Sequence, residues 1–231
     1  EQSAPQGTIE GDYAAETQPV SALSFRPPTL KASDMWGASA IDQMICRIRF
    51  QSLRYEGIYT PPSVQGTLVY PGNFGVFNWG GIAVDPERQV MFGMPLYMAF
   101  IQRLVPKDNN TPMGPTNQGE QGLNENAGAQ YAVEMKPLMS PLGIPCQRPP
   151  WGYVAGADLR TGEIMWKHKN GTVEDMAPIP IPLELGVPGI GGPIITRGGV
   201  VFLAATVDDY LRAYNLTDGE ELWRARLPAG G

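Results

Sequence analysis

Hydrophobic residues occur along this chain in short runs separated by turn residues, which is the pattern of an all-β protein. One predicted strand pair is Gly81–Asp85 and Val90–Met94, joined by a turn over Pro86–Gln89. Tyr55–Pro62 and Gly66–Gly72 have the same character and are predicted as further short strands. The pattern therefore indicates antiparallel strands with tight connections.

Two segments near the N-terminus depart from that pattern. Residues 1–35 are predicted to be an irregular lead-in, because several prolines interrupt it, while Phe25 and Leu30 are expected to dock on a core. The stretch Met35–Arg47 predicts a short helix, with Asp34 as its N-cap residue.

Two further segments are rich in turn residues. Residues 106–130 are polar and contain several Asn and Gly, which predicts a long loop. Residues 174–193 are rich in proline. The whole chain of 231 residues contains 28 Gly and 23 Pro, so it turns often and has little room for long helices.

An internal repeat is the most informative feature of the sequence. Ala157–Trp166 and Tyr214–Trp223 match each other at a spacing of 57 positions. Each copy predicts a strand, a tight turn and a second strand, because a capping side chain and a glycine occupy the turn. These residues are Asp158 and Gly162 in the first copy, and Asn215 and Gly219 in the second.

The repeat predicts a β-propeller, in which four-stranded sheets serve as blades. Val200–Ala205, Tyr210–Tyr214 and Glu221–Leu227 are successive predicted strands that make most of one blade. Trp166 and Trp223 each follow a turn at a fixed distance, so we expect their indoles to pack between adjacent blades rather than to bind a ligand.

Composition narrows the function. The net charge of −6, with 17% charged residues, argues against nucleic-acid binding, which needs a basic surface. No apolar run approaches the roughly 20 residues of a membrane span, and no signal peptide opens the chain. Glu1 follows no initiator Met and Gly231 comes directly after a predicted strand, so both ends are expected to be cuts in a longer protein.

The residues that ligate zinc are scarce. Cys46 and Cys146 lie 100 positions apart, and His168, the one histidine in the sequence, is expected at the surface. A Cys46–Cys146 disulfide and two separately buried thiols are both compatible with the sequence.

The motif Ala-x-Asp-x-x-Thr-Gly-x-x-x-Trp, which ends at Trp166, resembles the tryptophan-docking motif of the quinoprotein dehydrogenases. These enzymes are eight-bladed propellers that hold pyrroloquinoline quinone (PQQ) and a divalent metal ion. Further stretches are similar to the membrane-bound glucose dehydrogenase group, which includes quinate and polyol dehydrogenases. These stretches are Phe77–Pro86, Pro141–Trp151 with Gly152 and Tyr153, Leu211–Asn215 and Arg226–Gly231.

The resemblance implies that residues 1–231 form part of such a propeller, about three to four of its eight blades. In the family, the catalytic Asp, the Lys or Arg beside the quinone and the main metal carboxylates lie before the position of Glu1. The chain is therefore expected to hold no catalytic residue and no metal ligand, and by itself to bind neither PQQ nor metal and to be inactive.

For the full-length protein the resemblance implies several properties. It would use PQQ with Ca²⁺ or Mg²⁺ and oxidise a sugar or cyclic polyol, either glucose or quinate/shikimate. Its electrons would pass to ubiquinone. It would be periplasmic and attached to the inner membrane through a region that this chain lacks.

Asn78 and Trp79 resemble an Asn-Trp pair that contacts PQQ in related alcohol dehydrogenases, where the amide donates to a quinone or carboxylate oxygen. An equally compatible interpretation is a strand-edge Asn before a core Trp. Met94 falls where the family places an element near the cofactor, and with Glu120–Asn124 it resembles the quinate branch.

Gly191 and Gly192 belong to a glycine-rich stretch that resembles a turn on the cofactor side of a late blade. Glycine permits close backbone approach to a flat ligand, although a plain turn between blades explains the same residues.

A non-catalytic propeller that binds other proteins is the alternative to a dehydrogenase, because scaffolds also carry the docking repeat. We favour the dehydrogenase, since scaffolds are not expected to carry the segments at Asn78–Gly81 and Cys146–Trp151.

Overall fold

The computed structural model describes residues 1–107, 123–176, 181–204 and 206–230. The chain divides into two compact units. The first unit comprises Glu1–Val20, Pro28–Asn73 and Met98–Arg148. The second unit comprises Ser21–Pro27, Phe74–Tyr97 and Pro149–Gly231.

Short strands dominate the described part of the chain, as the sequence pattern predicts. The strands are β1 (Gln2–Ser3), β2 (Thr17–Gln18), β3 (Thr67–Val69), β4 (Ile82–Asp85), β5 (Val90–Gly93), β6 (Phe100–Pro106), β7 (Leu123–Asn124), β8 (Tyr131–Pro137), β9 (Tyr153–Asp158), β10 (Glu163–Lys169), β11 (Ile194–Ile195), β12 (Val200–Leu203), β13 (Tyr210–Asn215) and β14 (Glu221–Arg226). They form three antiparallel four-stranded sheets and one two-stranded sheet. This confirms the all-β prediction, and three sheets agree with about three to four blades.

The first unit contains the sheet β3-β6-β8-β7, the β1-β2 hairpin and the helix α1 (Ala40–Ser52). Leu68, Ile101 and Leu138 pack in its core beside Cys46 and Cys146. The two cysteines form a disulfide with a Cα–Cα distance of 5.3 Å, which decides between the two alternatives that the sequence left open.

Helix α1 begins later than the sequence predicts. Its N-cap residue is Ser39, whose Oγ accepts a hydrogen bond from the backbone N–H of Asp42 at 3.2 Å. Asp34 lies in a 3-10 helix, Ala32–Asp34, and its carboxylate accepts from the backbone N–H of Lys31. The prediction of Asp34 as the cap is wrong, because its carboxylate serves this earlier turn.

Two other predictions for the N-terminal half have mixed outcomes. Tyr55–Pro62 is not a strand: Gly57 has a φ of +112°, and the Thr60 hydroxyl donates to the carbonyl of Gly57, so the segment turns back on itself. Residues 1–35 are not wholly irregular, because they contain β1, β2 and the 3-10 helix, but Phe25 and Leu30 are buried, which confirms that the segment docks on cores. The predicted loop 106–130 contains the last residue of β6 and the whole of β7, and its residues 108–122 lie outside the described residues.

The second unit contains two sheets, with strand orders β4-β5-β9-β10 and β11-β12-β13-β14. The two repeat copies form the hairpins β9-β10 and β13-β14, as predicted. Their turn glycines, Gly162 and Gly219, have φ values of +71° and +76°. The Asp158 carboxylate accepts from the backbone N–H of Arg160, and the Asn215 side-chain oxygen accepts from that of Thr217.

Trp166 joins the two sheets of the second unit. Its indole is 9% exposed and packs beside Phe92, and its Nε1 donates to the backbone carbonyl of Leu216 at 3.1 Å. A Cβ at Gly156 would lie 2.5 Å from this ring, so the indole rests directly on the backbone of β9. The predicted docking role of Trp166 is confirmed.

Trp223 does not have the same environment. It lies on β14, the outer strand of its sheet, and its side chain is 49% exposed. The prediction that its indole is packed between two sheets is wrong for the described residues, because about half of the side chain is exposed and no second described sheet covers it. In the part of the chain that the structure describes, no helix is long and apolar enough to cross a bilayer.

Candidate functional site

A tight turn presents Asn78 and Trp79 at the start of β4. The backbone N–H of Gly81 donates to the carbonyl of Asn78 at 2.8 Å, and Gly81 has a φ of +69°. The loop is anchored on one side by Phe77, whose ring meets that of Phe25 edge-on at 5.2 Å between centroids. On its other side the backbone enters β4, so both ends of the turn are fixed by the fold.

The Asn78 amide has a defined orientation in this turn. Its Oδ1 accepts a hydrogen bond from the backbone N–H of Trp79 at 2.7 Å. An amide oxygen used in this way leaves the Nδ2 group as the donor, and nothing in the described ranges accepts from it. Asn78 thus offers two N–H groups to an oxygen that the described residues do not supply.

Trp79 is not a core residue, because its side chain is 84% exposed. This excludes the interpretation in which Asn78 merely precedes a core Trp. An exposed indole beside a free amide donor forms a surface that suits a flat, oxygen-bearing ligand.

The glycine-rich stretch lies against this turn. A Cβ built on Gly80 would come within 2.5 Å of the carbonyl carbon of Gly191 and 2.7 Å of the nitrogen of Gly192. A Cβ built on Gly192 would lie 2.8 Å from the carbonyl oxygen of Gly80. The structure therefore brings together four residues predicted from the sequence: Asn78, Trp79, Gly191 and Gly192.

The glycine-rich stretch is itself attached to the sheet that contains β13. Gly189 forms a bridge with Thr206, and the N–H of Val207 donates to the carbonyl of Pro188 at 3.2 Å. The hydroxyl of Thr206 donates to the carboxylate of Asp208 at 2.5 Å. The position of the glycine-rich stretch thus depends on a buried polar group.

That group is an ion pair that no sequence motif indicated. Asp208 is 0% exposed and Arg212 is 2% exposed, and their side chains form a two-point ion pair. Asp208 also accepts from the backbone N–H of Thr172 at 2.8 Å, and the Nε of Arg212 lies 3.2 Å from Glu221. The available signal was an acid and a base four residues apart beside an otherwise apolar strand.

The electrostatics of the pair favour its charged form. Burial by itself would raise the pKa of Asp208, but hydrogen bonds from Arg212, Thr206 and the backbone of Thr172 outweigh it, so the pKa lies below its ordinary value. Burial would lower the pKa of Arg212, but the hydrogen bonds and charge of Asp208 reverse this effect. Both groups are therefore charged at neutral pH.

Met94 lies away from the exposed turn. It is buried with Phe92 and Val154 in the core between the two sheets of the second unit. Its sulfur accepts a hydrogen bond from Nδ2 of Asn170, and the Oδ1 of the same Asn170 accepts from the hydroxyl of Tyr214 at 2.6 Å. The structure supports a packing role for Met94 and gives it no surface for direct ligand contact.

The side chains of the turn suit a planar ring cofactor better than a metal ion. An amide donor, an exposed indole and a closely approached glycine backbone suit a planar quinone such as PQQ. Throughout the described ranges, no group of three or more His, Cys, Asp or Glu is placed to hold a metal ion.

Comparison with known proteins agrees with this geometry. Residues 1–231 match the family described as "Glucose/ethanol/alcohol dehydrogenase, beta-propeller domain", of the PQQ type. The chain is 49% identical to the quinoprotein glucose dehydrogenase of Escherichia coli (strain K12), with 100% of this chain and 30% of that protein covered.

Two further relatives show the range of the family. The chain is 50% identical to quinoprotein glucose dehydrogenase A of Acinetobacter calcoaceticus, over 96% of this chain and 28% of the relative. It is 42% identical to the quinate/shikimate dehydrogenase (quinone) of Acinetobacter baylyi, over 96% of this chain and 29% of that relative. The chain therefore spans about 30% of the length of these relatives.

The four-stranded sheets and the indole clamp at Trp166 agree with a propeller, and the family match over residues 1–231 favours the dehydrogenase family over a scaffold. The chain belongs to the PQQ-dependent dehydrogenase family and forms part of its β-propeller domain.

Proposed function

We propose that the full-length protein containing this chain is a PQQ-dependent dehydrogenase that oxidises a hydroxyl group of a sugar or cyclic polyol and passes the electrons to ubiquinone. The observation that carries the proposal is the turn at Asn78, whose amide offers N–H donors beside an exposed indole. Family membership supplies the cofactor class.

The role of this chain is to hold one side of the cofactor. Asn78 Nδ2 would donate to a quinone or carboxylate oxygen of PQQ, a contact that strengthens where negative charge develops on that oxygen. Trp79 would cover part of the ring system, and the backbone at Gly191 would allow close approach. The open side of Gly192 is occupied by the backbone of Gly80. Bound PQQ would supply the electron-accepting chemistry for oxidation of the substrate hydroxyl, with the proton-accepting carboxylate expected outside this chain.

A divalent ion, Ca²⁺ or Mg²⁺, would accompany PQQ in the full-length protein, with ligands from outside this chain. For the substrate we favour glucose over quinate or shikimate, because the two glucose dehydrogenases compared are 49% and 50% identical to the chain and the quinate/shikimate enzyme is 42% identical. Buried Met94, which suggested the quinate branch in the sequence, makes no surface that would argue against glucose.

A periplasmic location, with attachment to the inner membrane outside this chain, fits the disulfide. Bonds such as Cys46–Cys146 persist in oxidising compartments and are rare in the cytosol. Labelling of free thiols in cells, before and after reduction, would test this part of the proposal: thiols that are reactive without a reductant would contradict it.

Asn78→Ala in the full-length protein tests the proposed cofactor contact. We expect at least a ten-fold weaker affinity for PQQ, measured by titrating the apoprotein, because one hydrogen bond to a charged or strongly polar oxygen is worth about 1.5–3 kcal/mol. Asn215→Ala is a matched control, since Asn215 also accepts a backbone N–H within its own turn but lies in the β13-β14 hairpin.

The outcomes separate the steps of the proposal. If the apoprotein binds no PQQ, the proposed function is wrong. If PQQ binds and dye-linked oxidation of glucose, quinate and sorbitol is absent, the substrate class is wrong. If Asn78→Ala binds PQQ like the parent protein, the assigned contact is wrong.

The isolated 231-residue chain is a separate case. We expect it neither to bind PQQ tightly nor to oxidise glucose or quinate, because the surface at Asn78 provides only one side of a site. Turnover by the purified chain with added PQQ and Ca²⁺ would contradict this expectation.

A further inference from the structure

We infer that Gly80 and Gly192 form a backbone clamp that sets the position of Asn78 and Trp79, which makes both glycines positioning residues for the proposed cofactor site. This inference rests on the proposed function, but the contact itself is independent of it. The two glycines come from segments more than 100 residues apart in the sequence, and they meet within the second unit.

The contact is reciprocal and involves only backbone atoms. A Cβ on Gly80 would lie 2.5 Å from the carbonyl oxygen of Ile190 and 2.7 Å from the nitrogen of Gly192. A Cβ on Gly192 would lie 2.8 Å from the carbonyl oxygen of Gly80. Because distances below 3.0 Å are essentially never seen for real Cβ atoms, any side chain at either position would force the two segments apart.

Proximity, rather than backbone conformation, is what requires glycine here. Neither Gly80 nor Gly192 has a φ in the left-handed region, so a positive φ is not what requires glycine at these two positions. Gly81 shows the opposite case: its φ is +69°, and its nearest neighbour to a Cβ would be 4.0 Å away. In this turn Gly81 is needed for the backbone conformation, and Gly80 is needed for the close contact with Gly192.

The clamp joins the turn before β4 to the sheet that contains β13. On one side, Gly80 is two residues from Asn78 within a hydrogen-bonded turn. On the other side, Gly192 is three residues from Gly189, which bridges to Thr206 above the buried Asp208–Arg212 pair. A shift at the clamp would therefore move the Asn78 amide relative to the second sheet of the unit.

The size of the shift predicts its effect. A Cβ on Gly80 would lie 2.5 Å from the carbonyl oxygen of Ile190, so the two segments must separate by about 0.5 Å to reach 3.0 Å. An ordinary van der Waals contact requires a separation of about 1 Å. A displaced Asn78 amide would lose part or all of its hydrogen bond to the cofactor, which corresponds to a loss of affinity of about 10- to 100-fold. We therefore expect Gly80→Ala or Gly192→Ala to weaken PQQ affinity by about 10- to 100-fold.

The experiment uses the full-length protein with Gly80→Ala, Gly192→Ala and both changes together. Gly198→Ala is the matched control, because Gly198 lies in the same unit and a Cβ there would meet only the Thr196 hydroxyl, at 3.9 Å. PQQ titration of the apoprotein gives the affinity. Hydrogen exchange of residues 76–82 in the apoprotein gives a readout without cofactor.

Gly192→Ala should speed exchange at the Gly81 amide, whose hydrogen bond closes the turn, although the substitution lies in a distant part of the sequence. The double variant should lose less affinity than the product of the two single losses, because both changes disrupt one contact. The control should match the parent protein in both measurements.

Several results would overturn the inference. Unchanged exchange at residues 76–82 in Gly192→Ala would show that the segments do not restrain each other, whether or not PQQ binds. Parent-like PQQ affinity in both single variants would refute the positioning role. If the parent protein itself binds no PQQ, the proposed function fails, while the exchange experiment still decides whether the clamp exists.

Discussion

Removal of the Asp208 carboxylate is the most informative test of how the second unit is held together. Asp208 is fully buried and receives hydrogen bonds from Arg212, the Thr206 hydroxyl and the backbone of Thr172. Asp208→Leu would leave the 2% exposed guanidinium of Arg212 with Glu221 at 3.2 Å as its remaining ion-pair partner.

The expected cost follows from this geometry. Removing one member of a buried ion pair costs about 3–5 kcal/mol, because the other charge stays buried without full compensation. Replacing both members with apolar residues should cost less, so Asp208→Leu combined with Arg212→Met is expected to be more stable than Asp208→Leu alone. The Glu87–Arg197 pair is a control: at 3.8 Å and with both side chains largely exposed, its loss in Arg197→Ala should cost under about 1 kcal/mol.

Urea unfolding of the apoprotein, followed by tryptophan fluorescence, measures these free energies, and equal slopes between variants show that the compared states are the same. Two results would refute the reasoning. One is an Asp208→Leu variant within about 1 kcal/mol of the parent protein. The other is an Asp208→Leu/Arg212→Met double variant whose destabilisation equals the sum of those measured for Asp208→Leu and Arg212→Met alone.

Three further predictions follow from the same structure. Trp166→Ala should lower the free energy of unfolding by about 3–5 kcal/mol in urea titrations, because it removes a buried indole and leaves a cavity between two sheets. A loss under about 1 kcal/mol would contradict the docking role of Trp166. Replacing Cys46 and Cys146 with Ser should cost about 3–5 kcal/mol in the same assay, since the bond closes a loop of 100 residues; equal stability with and without reductant would contradict this. Folding lowers the pKa of Asp208, so the ionised carboxylate stabilises the folded state. This contribution is complete above the unfolded pKa of about 3.9 and is lost as the pH falls through the lower folded pKa. Melting temperatures measured from pH 6 to pH 2 should show this decline, and Asp208→Asn should show less of it.

The repeat was the part of the fold that the sequence determined most directly. A turn such as Asp158–Gly162 is specified locally, by a capping side chain and a glycine in the left-handed region, so its hairpin could be predicted without any neighbour. The same holds for the β4-β5 pair. The helix start was harder, because Asp34 and Ser39 are both good capping residues and only the surrounding packing selects Ser39.

The residues of the candidate site could be predicted from the sequence, but their exposure could not. The sequence motif alone indicated Asn78, Trp79, Gly191 and Gly192, because it resembles the family. It did not show that Trp79 is exposed or that Met94 is buried, since both depend on which face of the backbone meets a neighbouring segment.

The sequence by itself determined most of the strands with their turns, and it indicated the family, because these follow from residue types at short spacing; Tyr55–Pro62 is the exception. The tertiary structure alone decided three long-range features: the Cys46–Cys146 bond, the contact between Gly80 and Gly192 and the burial of Asp208 with its partner. The physical reason is that each depends on atoms brought together across a folded chain. The distance between two backbones, and the exclusion of water from a charge, are not encoded in any local pattern.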